Sequence, residues 1–151
     1  MVSTVQNVNR WFGRANMAFH EASKKALRHL ELAERFLAEG RGLVDKDPIQ
    51  ASEKLYKAAE EAIKAIATAL ELDEARKALE RGRWTLSLLD DAVYAISEKL
   101  SVKELVDWWD SAYRLHVDGF HEARLRSIDV ARRYGHVEAV VGVAKRVLRG
   151  G

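Results

Sequence analysis

The segment DPIQASEKLYKAAEEAIKAIATAL, from Asp47 to Leu70, constrains the fold more than any other part of this chain. Asp47 is placed to cap a helix, Pro48 fits its first turn, and Gln50 completes a capping-box pattern. At about 100° per residue, Ile49, Leu55, Tyr56, Ala59, Ile63, Ile66 and Leu70 form one broad apolar stripe. Ala51, Ala58, Ala62, Ala65 and Ala69 form a second stripe beside it. Together they leave about a third of the circumference for Glu53, Lys57, Glu60, Glu61 and Lys64. A helix of this kind touches neighbours on more than one side, and its alanine edge admits one of them closely. The pattern predicts the central helix of a bundle.

The remaining segments supply the neighbours. From about Ala18 to Glu39 an apolar face holds Phe19, Ala22, Ala26, Leu30, Ala33 and Leu37, and EGRG is expected to stop that helix at Gly40 and Gly42. LDEARKALERGR reads as a short polar helix and a turn. Leu86, Leu89, Val93, Ile96 and Leu100 stripe the helix that starts at Trp84. Between Val102 and about Arg124, Leu105, Trp109, Ala112, His116, Gly119 and Ala123 keep 3–4 spacing. The last helix, roughly Ile128 to Leu148, carries Tyr134, Val137, Val141, Ala144 and Leu148, and Gly135 is either tolerated inside it or breaks it. Short connections between long helices predict an all-α, antiparallel up-and-down bundle of about five helices. One domain over residues 18–149 follows, with residues 1–17 as an N-terminal tail.

Composition narrows the function classes. The chain has no cysteine, which excludes disulfides and thiolate chemistry. The longest apolar stretch, Ala139 to Ala144, is far too short to span a membrane. The start MVSTVQNVNR lacks the hydrophobic core of a signal peptide, so the expected location is cytoplasmic. Charged residues make up 32% of the chain while amides and methionines are few, a balance suited to a hot environment. The net charge of +2 is unevenly spread: residues 1–28 total +4 and residues 124–151 total +5, leaving −7 between them. Such polarity can guide an anionic partner, and it also serves plain solubility.

Three stretches together, LVDKDPIQASEKLYKAAEEAIKAIA (43–67), GRWTLSLLDDAV (82–93) and WWDSAYRLHVDGFHEARL (108–125), resemble the PaREP family, type one, over about residues 18–149. That is a paralogous family of helical proteins expanded in thermophilic archaea. The resemblance implies a HEPN-like fold, an antiparallel bundle that is often dimeric and often works with a nucleotidyltransferase-like protein partner. It also implies a place to look for chemistry. Many HEPN proteins are metal-independent ribonucleases with an Arg-x4-6-His motif on a late helix. RLHVDGFH offers Arg114 and His121 with six residues between them, within about 20° of each other on an α-helix. His121 would be the general base on a ribose 2′-hydroxyl, and Arg114 would steady the phosphate in the transition state. Leu115 departs from the polar residue usual after the arginine, and Asp107, Asp110 and Asp118 crowd the same face. Arg14 and His20 form a second, weaker match.

His116 lies on the apolar face and reads as a core histidine bonded to a neighbouring helix, with His29 as the candidate partner. Gly119 implies close contact with another backbone. Asp118 and His121 have a spacing compatible with metal ligation but no third ligand, so no metal is expected, and no cofactor motif is present. Asp90 and Asp91 point apart, and Trp108 and Trp109 serve the core and a bundle edge or dimer contact. In the tail, Trp11 and Phe12 flanked by Arg10 and Arg14 suit a partner groove or stacking on RNA bases, or else pack on their own bundle. Two functions follow: a non-catalytic homodimeric module binding a partner or nucleotide, or a ribonuclease or RNA-binding toxin-like protein.

Overall fold

In a computed structural model, which describes the backbone of residues 4–150 and the side chains of residues 20–150, the chain is helical almost throughout. The elements are α1 (Thr4–Leu43), α2 (Pro48–Ala69), α3 (Asp73–Arg81), α4 (Leu86–Leu100), α5 (Leu105–Arg114), a π-helix (Leu115–His121) and α6 (Ser127–Arg149). Asp47 accepts a hydrogen bond from the Gln50 backbone N–H at 3.1 Å, so α2 starts where its capping sequence places it. Ala51, Leu55, Ala58, Ala59, Ala62, Ile63, Ala65 and Ile66 are fully buried, and α2 touches every other element. Both apolar stripes of α2 are used, as a central helix requires.

The pairing of α2 with its neighbours is antiparallel on both sides. Along α1, Glu39 meets Lys54 while His29 meets Glu61, so the two helices run in opposite directions. Along the other side, Ser52 faces Gly119, Glu53 meets His116, and Tyr56 lies against Trp109 and Tyr113. Helix α6 closes the bundle with Val137, Val140, Val141 and Ala144 buried, and its Arg149 pairs with Glu34 of α1. Trp109 is buried and donates its indole N–H to Asp90 at 2.8 Å, tying α5 to α4. Among the described residues no helix is long and apolar enough to cross a membrane.

Several boundaries differ from those the periodicity predicts. Helix α1 begins at Thr4, not near Ala18, so the segment read as a tail continues it. The side chains of Arg10, Trp11, Phe12 and Arg14 lie outside the described residues. EGRG does not stop α1, which runs on to Leu43. A Cβ on Gly40 would stand 2.7 Å from Leu55 Cδ2, so this glycine admits α2 at close range instead of ending a helix. Gly135 lies inside an unbroken α6. Ile49 and Leu86, assigned to apolar stripes, are exposed at the first turns of their helices.

Candidate functional site

The expected helix from Val102 to Arg124 is two structures in series. After Arg114 the backbone widens into a π-helix, whose last turn is closed by the Glu122 N–H on the Val117 carbonyl at 2.8 Å, a five-residue step. Residues five apart then stack along the axis, whereas on an α-helix they lie about 140° apart. His116 and His121 are such a pair. Their Nε2 atoms are 3.2 Å apart and their rings meet edge to face at 4.5 Å between centroids. The two residues of the ribonuclease pattern take different partners. Arg114 Nε instead reaches Asp118 at 3.2 Å, and no hydrogen bond or ring contact joins it to the histidine.

Behind His116 the contacts continue into the bundle. Its Nδ1 is 2.9 Å from Glu53 Oε2, and its ring stacks on Tyr56 at 4.3 Å. A carboxylate can only accept, so Nδ1 carries the proton and, in the neutral ring, Nε2 is a lone pair that accepts from His121 Nε2–H. The result is a chain from half-buried Glu53 through His116 to the exposed ring of His121. His121 Nδ1 is then left as the basic nitrogen at the surface. Burial, followed by the charge of Glu60, pushes the Tyr56 hydroxyl up, so it stays a neutral partner of the stack.

His116 is a quarter exposed and does not bond His29. His29 belongs to a different place, with Nδ1 2.5 Å from Glu61, a partner about two turns beyond the level of Glu53 on α2. Gly119 is where the sequence suggests a close approach. A Cβ there would stand 2.2 Å from Ser52 Oγ and 2.5 Å from Ser52 Cβ, while the Ser52 hydroxyl donates to the Pro48 carbonyl at 2.7 Å. Ala123, assigned to the apolar face, is exposed in a left-handed conformation beyond the π-helix. Leu115, the residue that departs from the ribonuclease pattern, is fully buried.

Of the three aspartates crowding the Arg114 face, Asp118 is paired with arginines. Asp118 accepts from Arg124 at 2.9 Å and forms an ion pair with Arg114, and the Arg124 hydrogen bond holds its carboxyl below the ordinary range. With Asp118 on arginines and His121 on His116, the pair considered for metal ligation is committed elsewhere. Among the described residues no three His, Asp or Glu side chains converge as ligands. Sequence reasoning also missed a hydroxyl–imidazole pair, Ser111 Oγ and His136 Nδ1 at 2.9 Å, in a small cleft with Arg132, Arg133 and Asp129. Asp129 bonds Arg126 rather than His136, so it does not orient that ring.

A larger cavity, about 680 Å³, opens elsewhere, between α1, the end of α2, α3 and the turn before α4. Trp84 and Leu79 line it, and so do His29 and Arg28 of α1. No sequence motif marks it, because its walls come from four segments whose meeting is a property of the fold.

The family model of archaeal PaREP1/PaREP8 proteins matches residues 28–141, which span the histidine chain and most of the cavity. The chain belongs to the PaREP1/PaREP8 family. A crystal structure of a Sulfolobus solfataricus protein is similar, with 35% identity and a TM-score of 0.65, covering 83% of this chain and 97% of that one. A solution structure of the same structural-genomics target has 34% identity and a TM-score of 0.61, covering 82% and 91%. No curated protein matches significantly. The PaREP1/PaREP8 assignment thus fixes ancestry and an all-helical architecture, and the side chains must supply the function.

Proposed function

We propose that this PaREP1/PaREP8 chain is a non-catalytic, HEPN-like interaction module of the archaeal cytoplasm, suited to high temperature. It works as a homodimer and binds a nucleotide or a nucleotidyltransferase-like partner. Residues 18–149 carry the module, and residues 1–17, with Arg10, Trp11, Phe12 and Arg14, extend its binding surface. The observation that carries the reading is that Arg114 and His121 each take a different partner. The cation needed for a developing phosphorane is held by Asp118, and the base is held by His116. Association through helix faces draws support from large apolar side chains left open, with Leu79 at 69%, Tyr94 at 59% and Ile128 at 49% exposure.

A second reading, a metal-independent ribonuclease or an RNA-binding toxin-like protein, is favoured by one observation. Glu53 and His116 back an exposed imidazole, which is how a general base is oriented. Labelled single-stranded RNA incubated with excess protein in EDTA separates the two. The module reading expects intact RNA. Cleavage that disappears in His121→Ala and Arg114→Ala would replace it with the ribonuclease. Light scattering at micromolar concentration is expected to give twice the chain mass, and a single-chain mass would remove the dimer.

A further inference from the structure

The 680 Å³ cavity is lined by none of the residues of the histidine chain, and its lining is chemically divided. One part is apolar: Ala75, Ala78 and Leu79 of α3, with Trp84 from the following turn. Leu79 is 69% exposed, a large aliphatic group held in water beside a half-buried indole. The other part is cationic. Lys25, Arg28, Arg76 and Arg83 line the cavity against Glu21 and Glu71. Arg76 is paired with Asp73, but Lys25, Arg28 and Arg83 enter no ion pair among the described residues. Residues 1–19 contain no Asp or Glu that might neutralise them.

His29 adds an independent sign. It lines the same cavity, Glu61 takes its Nδ1, and its Nε2 is buried with no hydrogen-bond partner. Buried polar atoms are almost always bonded, and exceptions call for an explanation such as a missing partner. Glu61 can only accept, so Nδ1 carries the proton and, in the neutral ring, Nε2 is an acceptor without a donor. Three cations outside any ion pair, set against the carboxylates of Glu21 and Glu71, and one orphaned ring nitrogen therefore border an apolar wall. A simple anion does not need Leu79 and Trp84, and a purely apolar molecule does not need the arginines.

We propose that this cavity binds a nucleoside phosphate. Its base lies against Trp84 and Leu79, its phosphate is met by Arg28, Lys25 and Arg83, and His29 Nε2 accepts from a ribose hydroxyl. The volume suits such a ligand, since small-molecule sites run from about 300 to 1,000 Å³. Base–aromatic stacking and charge-assisted bonds to phosphate are the two forces that such a divided lining provides. The proposal rests on the reading of the chain as a binding module and gives that module a ligand and a place for it.

Calorimetric titration of the full chain with AMP, adenosine and inorganic phosphate tests it, with Arg28→Gln/Arg83→Gln and Trp84→Leu as variants. AMP is expected to bind at least tenfold more tightly than either half alone. The double arginine variant should weaken AMP at least tenfold and leave adenosine unchanged, while Trp84→Leu should weaken AMP and adenosine alike. Arg28 and Arg83 are exposed and unpaired, so an unchanged melting temperature shows that the double variant is folded. No AMP binding at millimolar concentration overturns the site, as does binding undiminished in both variants or phosphate alone matching AMP. Light scattering on the same samples keeps the two ideas apart. A dimer that ignores AMP sinks the cavity and leaves the dimeric module, and a monomer that binds AMP keeps the cavity and removes the dimer.

Discussion

Gly119 and Gly135 both sit inside helical segments, yet alanine is expected to act with opposite sign at the two. A methyl on Gly119 collides with Ser52, and overpacking of this kind costs about 1–3 kcal/mol. A methyl on Gly135 meets nothing within 4 Å, so Gly135→Ala should stabilise α6 by about 0.5–1 kcal/mol. Urea titration of both variants checks this, and two shifts of the same sign would refute the packing at Gly119. Ser52→Gly should rescue Gly119→Ala, a coupling that a double-mutant cycle reads directly. The sequence marks Gly119 as a contact because a helical glycine asks for a reason, but it cannot name Ser52. The partners of the histidines are misjudged for a related cause. Periodicity assigns Glu53 and Glu61 to an open strip, while their side chains are only 15% and 14% exposed and each takes a histidine from a flanking element. Faces are legible from one strand of sequence, and the rotation of one helix against another is not.

Among the elements, the N-cap of α2 is legible in the sequence, while the stop expected at Gly40 and Gly42 is overrun by α1. Asp47 and Gly82 end their helices as their residue types suggest, and Thr85 adds a cap at 3.2 Å on the Leu88 N–H. Helix α4 ends differently, on Ser101 at φ 56°, with the Val102 N–H reaching back to the Ser97 carbonyl. A left-handed serine carries a cost that glycine lacks, so Ser101→Gly should raise stability by about 1 kcal/mol. A thermal melt with no gain would mean that the Ser101 side chain compensates locally. The π-helix is the least legible element. Its apolar residues still pass for 3–4 spacing, because a single widened turn displaces only the residues after it. That is why His121 was assigned the Arg114 face and is found on His116.

For the whole molecule, the central role of α2 and the all-helical bundle were legible because one helix displays two apolar stripes. The cavity was not, since no single segment contains it. Acid stability is a property of the same interior. Burial pushes the Glu61 carboxyl up, but the His29 hydrogen bond and the Lys64 charge outweigh it and leave it below its ordinary value. A lowered folded-state pKa contributes stability that is fully present above the unfolded value, near 4.5, and is lost as pH falls through the folded one. Melting temperature should therefore decline below about pH 4.5, and Glu61→Gln should make that decline shallower. A decline of equal slope in the variant would assign acid sensitivity elsewhere, to the arginine-bound Asp118 and Asp129, the latter held at about 2. The contact between Gly119 and Ser52 reaches beyond one molecule. Within a family of paralogues, two positions 67 apart in the chain cannot drift independently when they touch this closely. A relative with alanine or serine at the first should carry glycine at the second, so the history of one position is written in the other.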